Sequence, residues 1–264
     1  MSPLASMRDP GRLRGLLFDI DDTLTTEGKL TAGAYAAMER LRRAGKLVVP
    51  ITGRPAGWCD HIARMWPVDG VVGENGGLYF CFLEKKMIRR YHDDAHARAL
   101  NHSRLQEIGR RILAQVPGSA FAADQAYRET DLAIDYCEDV PALPLETAER
   151  IAVLMRKAGL SAKISSIHVN RWFGGYDKLA MTQRLFAEIF GIGPAMLQHE
   201  YAFAGDSPND APMFSHFEFS VGVANISVFS GRVEAEPKYV NREAAGAGFA
   251  ELVAHLLAHP AGNR

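Results

Sequence analysis

Three aspartates, Asp19, Asp21 and Asp22, fall within four positions of the stretch LLFDIDDTLT, residues 16–25. Carboxylates this close repel one another and raise one another's pKa, yet these follow an apolar run that reads as a buried strand. Two other stretches share the pattern: ITGRP sets Thr52 and Arg54 after KLVVP, and GDSPND sets Asp206, Asn209 and Asp210 after YAFA. Lys178, in GGYDKL, precedes a helical stretch that leads to the last of these strands. Acids gathered at one sheet edge call for a counter-charge. Mg2+ supplies one, because it takes oxygen ligands and keeps bound waters, and a phosphate can share it. Lys178 as a point charge and Thr52 as a hydroxyl donor would complete an anion cradle. Two carboxylates at i and i+2 can then divide the labour. Asp19 would attack phosphorus and carry the phosphoryl group. Asp21 would protonate the leaving oxygen, then deprotonate the water that cleaves the intermediate.

Strands alternating with helices must position these groups. GLLFDI (15–20), KLVVPIT (46–52), DGVVGEN (69–75), YAFAGD (201–206) and EFSVGVAN (218–225) read as strands. Residues 31–45, 177–191 and 248–259 read as helices, the first stopped by Gly45. This rhythm implies parallel strands joined by helical crossovers, with ligands bound outside the carboxyl ends. Asp19, Thr52 and Asp206 each end a strand, so positions far apart in sequence would meet. The middle breaks the rhythm. Residues 77–92 read as a hairpin and 94–116 as a charged helix; SAFAAD and DLAIDYC read as strands, 145–160 as a helix and 161–170 as a returning strand. The expectation is an α/β protein: a Rossmann-like parallel-sheet core, residues 1–82 and 172–264, with an inserted α+β cap domain, residues 83–171.

A chain of 264 residues that is 47% hydrophobic can bury a sizeable core. Its 30 basic and 31 acidic side chains leave a formal net charge of −1, without the basic excess of a nucleic-acid binder. Cys59, Cys81 and Cys137 lie far apart; their odd number argues against a disulfide framework, and no spacing suggests zinc. Free thiols suit a reducing, cytoplasmic setting. MSPLASMRDPGRLRG has no sustained apolar segment of the kind found in a signal peptide or anchor, and no run approaches the ~18 apolar residues of a membrane helix. The first dozen residues and the tail HPAGNR are expected to be loosely ordered.

DIDDTLT, ITGR, the lysine of GGYDKL and GDSPND together resemble, in order, the four motifs of the haloacid dehalogenase-like phosphohydrolases. An insert between the second and third motifs is similar to the branch with a large α/β cap, which includes many sugar-phosphate phosphatases. The resemblance covers nearly the whole chain. It implies that Asp19 is nucleophile and metal ligand, and that Asp21 is the acid/base and gives the metal its backbone carbonyl. It implies that Thr52, with Gly53 beside it, and Lys178 hold the transferring phosphoryl group. Asp206 would be a metal ligand, Asp210 would support the metal shell, and Asn209 would orient the phosphate or Lys178. Asp22 and Thr23 would shape the turn. Three positions depart from the pattern: Asp22 and Leu179 stand where glycine is usual, and Asn170 replaces an acid often found eight residues before the lysine.

The activity expected is a Mg2+-dependent phosphatase acting on a small phosphorylated metabolite, in the first place a sugar phosphate, with no nucleic-acid or membrane partner. A phosphomutase would use the same nucleophile but return the phosphoryl group to a rotated sugar. A dehalogenase would have no use for Asp21 or for Mg2+, and an eroded binding module should have lost Asp19, Asp21 or Lys178. Around the site, Asn75 in the GENGG turn is a candidate substrate contact, with Glu74 behind it. His168 and Asn170 share one face of the returning strand, beside Arg171 and Trp172; they could read the leaving group or merely pair with neighbours. His92, His96 and His102 read as a solvated face, and Arg54 as structural or bonded to nearby carboxylates.

Overall fold

The structure, a computed structural model, describes residues 1–258; the tail HPAGNR lies outside them. In chain order the first part comprises β1 (Ser2–Pro3), β2 (Gly15–Phe18), α1 (Ala32–Arg43), β3 (Leu47–Pro50), α2 (Ala56–Met65), β4 (Val71–Gly73) and the hairpin β5 (Leu78–Leu83) and β6 (Lys86–Tyr91). The middle comprises α3 (Ala95–Leu113), β7 (Ala120–Phe121), β8 (Leu132–Asp135), α4 (Leu145–Lys157), β9 (Ser161–Ile164) and β10 (His168–Trp172). The chain closes with α5 (Lys178–Leu185), α6 (Pro194–Glu200), β11 (Tyr201–Gly205), α7 (Ala211–His216), β12 (Phe219–Gly222), β13 (Tyr239–Val240) and α8 (Ala245–Ala258).

β2 and β11 are buried along their whole length, as the central strands of a parallel sheet must be when helices cover both faces. The sheet runs β1-β13-β12-β11-β2-β3, every pair parallel. Alternation along β2 sends Leu16 and Phe18 into the cluster beneath α1, α2 and α8, and Leu17 into the one beneath α5, α6 and α7. The chain thus forms an α/β core whose carboxyl strand ends, Asp19 and Asp206 among them, lie together where β2 and β11 pair.

The four strands β7-β8-β10-β9 form a separate antiparallel sheet. Leu132, Ile134 and Val169 on one face pack with Ile151 and Met155 of α4 in a third hydrophobic cluster. The opposite face carries His168 and Asn170.

The hairpin was expected to straddle a boundary at residue 83. β6 pairs with β5 over six residues, and Met87, Ile88 and Tyr91 pack on the two core clusters. A division at residue 83 would cut that hairpin at its turn, whereas β6 packs with the core. The N-terminus also departs from expectation. Ser2 donates its N–H to the Lys238 carbonyl at 2.8 Å, and Leu4 and Met7 are buried in the core. A two-residue edge strand has too short a pattern to read, but two apolar anchors suffice to order it.

Candidate active site

Asp19 follows β2, where its N–H bonds the Ala204 carbonyl at 2.9 Å, and Asp206 follows the neighbouring β11. Asp210 reaches back from the turn after β11. One of its oxygens accepts from the N–H groups of Asp206 (3.1 Å) and Ser207 (3.3 Å), closing a capping box with Ser207. Gly205 leaves the space for this: a Cβ there would lie 2.4 Å from Asp210 Oδ2. Lys178, the first residue of α5 after the Asp177 cap, completes the group. Its Nζ lies 2.6 Å from Asp19 Oδ1 and 2.7 Å from Asp210 Oδ1, with the side chain fully buried.

One carboxylate oxygen each from Asp19, Asp206 and Asp210 lies within 4.8 Å of the others. Three buried carboxylates around a single ammonium leave negative charge uncompensated. The electrostatics agree. Burial pushes the Asp19 carboxyl up to about 8 despite Lys178, with Asp210 and Asp21 adding to the rise. Burial also raises Asp206 well above the carboxylate range, with Asp19 and Asp210 contributing. Lys178 is raised in turn: Asp19 and Asp210 outweigh the burial that opposes its charge. An all-oxygen donor set with surplus negative charge fits a hard divalent cation such as Mg2+.

Asp21 is not part of that cluster. Its carboxylate faces Arg54, which donates through Nε (2.9 and 3.0 Å) and Nη2 (2.7 Å). Asp22 has φ +56°, which explains why glycine can stand at this turn; aspartate is among the few other residues that tolerate it. Thr23 Oγ1 donates to Asp206 at 3.3 Å, and Asn225 Nδ2 ties the Asp22 carbonyl (3.0 Å) to Asp206 (3.4 Å). Thr52 is buried, its N–H on the Val72 carbonyl at 2.8 Å and its Oγ1 accepting from the Arg54 N–H at 3.0 Å.

The inserted body closes over this edge. A cavity lined by Asp19, Asp21, Gly53, Arg54, His168, Asn170 and Asn209, among others, lies between the two bodies. Asn170 Nδ2 donates to Asp131 Oδ2 at 2.9 Å, and Asn209 Nδ2 donates to Asn75 Oδ1 at 3.3 Å. Gly53 sits against both: a Cβ there would lie 3.2 Å from Asn75 Nδ2 and 3.6 Å from Asn170 Oδ1. Glu74 points elsewhere. Its buried carboxylate accepts from the backbone N–H groups of Ala56, Glu129, Thr130 and Asp131, so it fastens the cap loop to the core. Burial, reinforced by Asp131, raises it to about 7.

Four participants carried no signal in the sequence. Glu138 meets Arg54 at 2.5 Å and lies 2.9 Å from His168 Nε2. Arg128 joins the Gly53 carbonyl (2.8 Å) to Asp131 (2.9 Å), and Asp124 pairs with Arg128 at 3.0 Å. Of the other flagged residues, Trp172 donates to the Tyr176 carbonyl at 3.0 Å. Arg171 is buried on the face away from His168 and Asn170, its guanidinium without a hydrogen-bond partner among the described residues, and burial lowers it to about 9. His92, His96 and His102 are exposed. The cysteines are free; burial pushes Cys81 up to about 12 and Cys137 up to about 11, far from a reactive thiolate. Among the described residues no helix is long and apolar enough to cross a membrane.

The family model of the haloacid dehalogenase-like hydrolases matches residues 16–124. The phosphoglycolate phosphatase of Methanospirillum hungatei is 25% identical over 253 residues, covering 94% of this chain and 98% of that one. Among solved structures, the trehalose-6-phosphate phosphatase C-terminal domain of C. albicans superposes with a TM-score of 0.69 at 14% identity, covering 98% of each chain. The Thermoplasma acidophilum 0175 protein superposes with a TM-score of 0.68 at 17% identity, covering 93% of this chain and 98% of that one. The first part of the chain thus matches the haloacid dehalogenase-like hydrolases, and the whole chain is similar in sequence to phosphoglycolate phosphatases and in fold to these solved structures.

Proposed function

We propose that the protein is a Mg2+-dependent phosphatase of small phosphorylated metabolites, in the first place sugar phosphates. The observation that carries this reading is Lys178, buried and bonded at once to Asp19 and Asp210 beside the third carboxylate, Asp206. Such a cluster suits an anion only when a cation is shared with it. The metal would be held by Asp19, Asp206 and the Asp21 carbonyl, backed by Asp210. Bound there, it would neutralise charge on the transferring phosphoryl group.

The chain's own groups do the rest. Asp19 attacks phosphorus, forming an aspartyl phosphate as the bond to the leaving oxygen breaks. Asp21 gives that oxygen its proton and then takes one from the water that hydrolyses the intermediate. Lys178, Thr52 and Asn209 hold phosphoryl oxygens. Asn170 and His168, on the cap face of the cavity, meet the leaving group, with Asn75 beside them. Free thiols at three positions support a reducing, cytoplasmic setting.

A screen of phosphorylated metabolites, phosphoglycolate and sugar phosphates included, should release phosphate with Mg2+ and none after chelation. Full activity in excess chelator would refute the metal role. Asp21→Asn should lower kcat/KM for alkyl phosphates by about 10²-fold or more. Asn170→Ala and His168→Ala should instead reorder sugar phosphates and change 4-nitrophenyl phosphate little, because contacts to a leaving group help only substrates that have it. An unchanged sugar ranking would remove the cap strand from recognition.

A further inference from the structure

Arg54 belongs to two bodies at once. It sits in the core loop after β3, its backbone N–H on Thr52 and its carbonyl accepting from the Glu74 N–H at 3.1 Å. Its guanidinium lies over the Trp58 ring at 4.4 Å and is almost fully buried. From there it donates to the core acid Asp21 and to the cap acid Glu138, with Nη2 shared between them at 2.7 and 2.5 Å. Glu138 is itself immobilised. The Asp135 carboxylate accepts from the N–H groups of Cys137 (2.9 Å), Glu138 (2.8 Å) and Asp139 (2.8 Å), pinning the turn after β8. His168 Nε2, on β10, lies 2.9 Å from the second Glu138 oxygen.

We propose that Glu138 is a positioning residue. Through Arg54 it aims the Asp21 carboxyl at the leaving oxygen, so that proton donation is competent only when the cap is docked. The inference rests on the reading of Asp21 as the acid/base. Its physical basis is the rigidity of the guanidinium: a planar fork holds its partners in fixed relative orientation. Asp21 is only two residues past the nucleophile on a turn, with no other side-chain partner among the described residues, so the plane of Arg54 sets its direction. That plane is fixed on one side by Trp58 and at its far end by Glu138, with Asp124 a more distant third partner at 3.5 Å. Remove Glu138 and the fork can swing toward Asp124, carrying Asp21 with it. In the step affected, the Asp19–phosphorus bond forms, the bond from phosphorus to the leaving oxygen breaks, and the Asp21 proton moves to that oxygen.

The test compares benzyl phosphate, whose alkoxide needs a proton, with 4-nitrophenyl phosphate, whose phenolate does not. Values of kcat/KM are measured, since they report only the steps through leaving-group departure. Glu138→Gln should lower the benzyl to nitrophenyl ratio by about 10-fold, within the range of general acid catalysis. The nitrophenyl value serves as the internal measure of folded, metal-loaded protein. In an Asp21→Asn background the same substitution should leave the ratio unchanged, because there is no proton left to aim. Equal losses for both substrates would mean that Glu138 only holds the cap shut, and would overturn the proposal. So would no loss at all, or a further drop in ratio in the Asp21→Asn background, which would make Glu138 a direct contact of the leaving group. If Asp21→Asn alone leaves the ratio unaltered, the reading of Asp21 fails first, and the proposal falls with it for that separate reason.

Discussion

Asp19→Asn should reduce turnover by at least about 10³-fold, the scale expected when a nucleophile is removed, while the chain stays folded. The amide matches the carboxylate in size but cannot displace an alkoxide at phosphorus. Stability should not suffer, for an electrostatic reason. Asp19 is one of three buried carboxylates competing for one ammonium, and burial holds its carboxyl up to about 8. Removing a charge that burial already disfavours costs little, and Lys178 keeps Asp210 at 2.7 Å. In chelator the melting temperature of the variant should therefore equal or exceed that of the wild type. Activity within tenfold of wild type from a homogeneous preparation would take Asp19 out of the central role.

Lys178→Met should do the reverse to stability. Methionine fills similar space, but Asp19 and Asp210 lose their only buried cation among the described residues. Breaking a buried pair from one side costs about 3–5 kcal/mol, measurable by denaturant titration in chelator. The loss should depend on pH. Lys178 is what opposes the rise in the Asp19 pKa, so without it that pKa moves further above its unfolded value, and the stability lost to the substitution grows as pH rises. The variant should thus be worse off at pH 8 than at pH 5. Activity should vanish at both values. A variant as stable as wild type at pH 8 would contradict the buried-charge account.

How much of this could be read from residues alone divides along a physical line. Asp19, Lys178, Asp206 and Asp210 were legible because each sits at the end of a strand or the start of a helix whose pattern shows in sequence, and parallel pairing brings such ends together. The side chain of Asp21 was not: its residue type suits the acid role, but its direction is set by Arg54, which only folding brings near. Glu138, Arg128, Asp131 and Asp124 were silent for a related reason. They lie in turns and short 3-10 segments around β8, where no periodicity marks which face a side chain takes. Glu74 was visible as part of a glycine-rich turn, yet its partners are backbone N–H groups, which carry no residue code. The strands β1 and β13 are two residues each, below the length at which alternation can be seen.

On the proposed reading, the chamber between the two bodies would act as a clock on the cycle. Its volume of about 10 Å³ holds roughly one water. On that reading, a phosphoryl group with its leaving group would enter only when the cap lifts, so the grip of Arg54 on Glu138 would be released and remade in every round. Phosphate would depart by the same parting. Once bond-making is fast, the pace belongs to this undocking and is common to all substrates. Compounds of quite different chemistry would then converge on one maximal rate, and the enzyme's preferences would be written in kcat/KM alone.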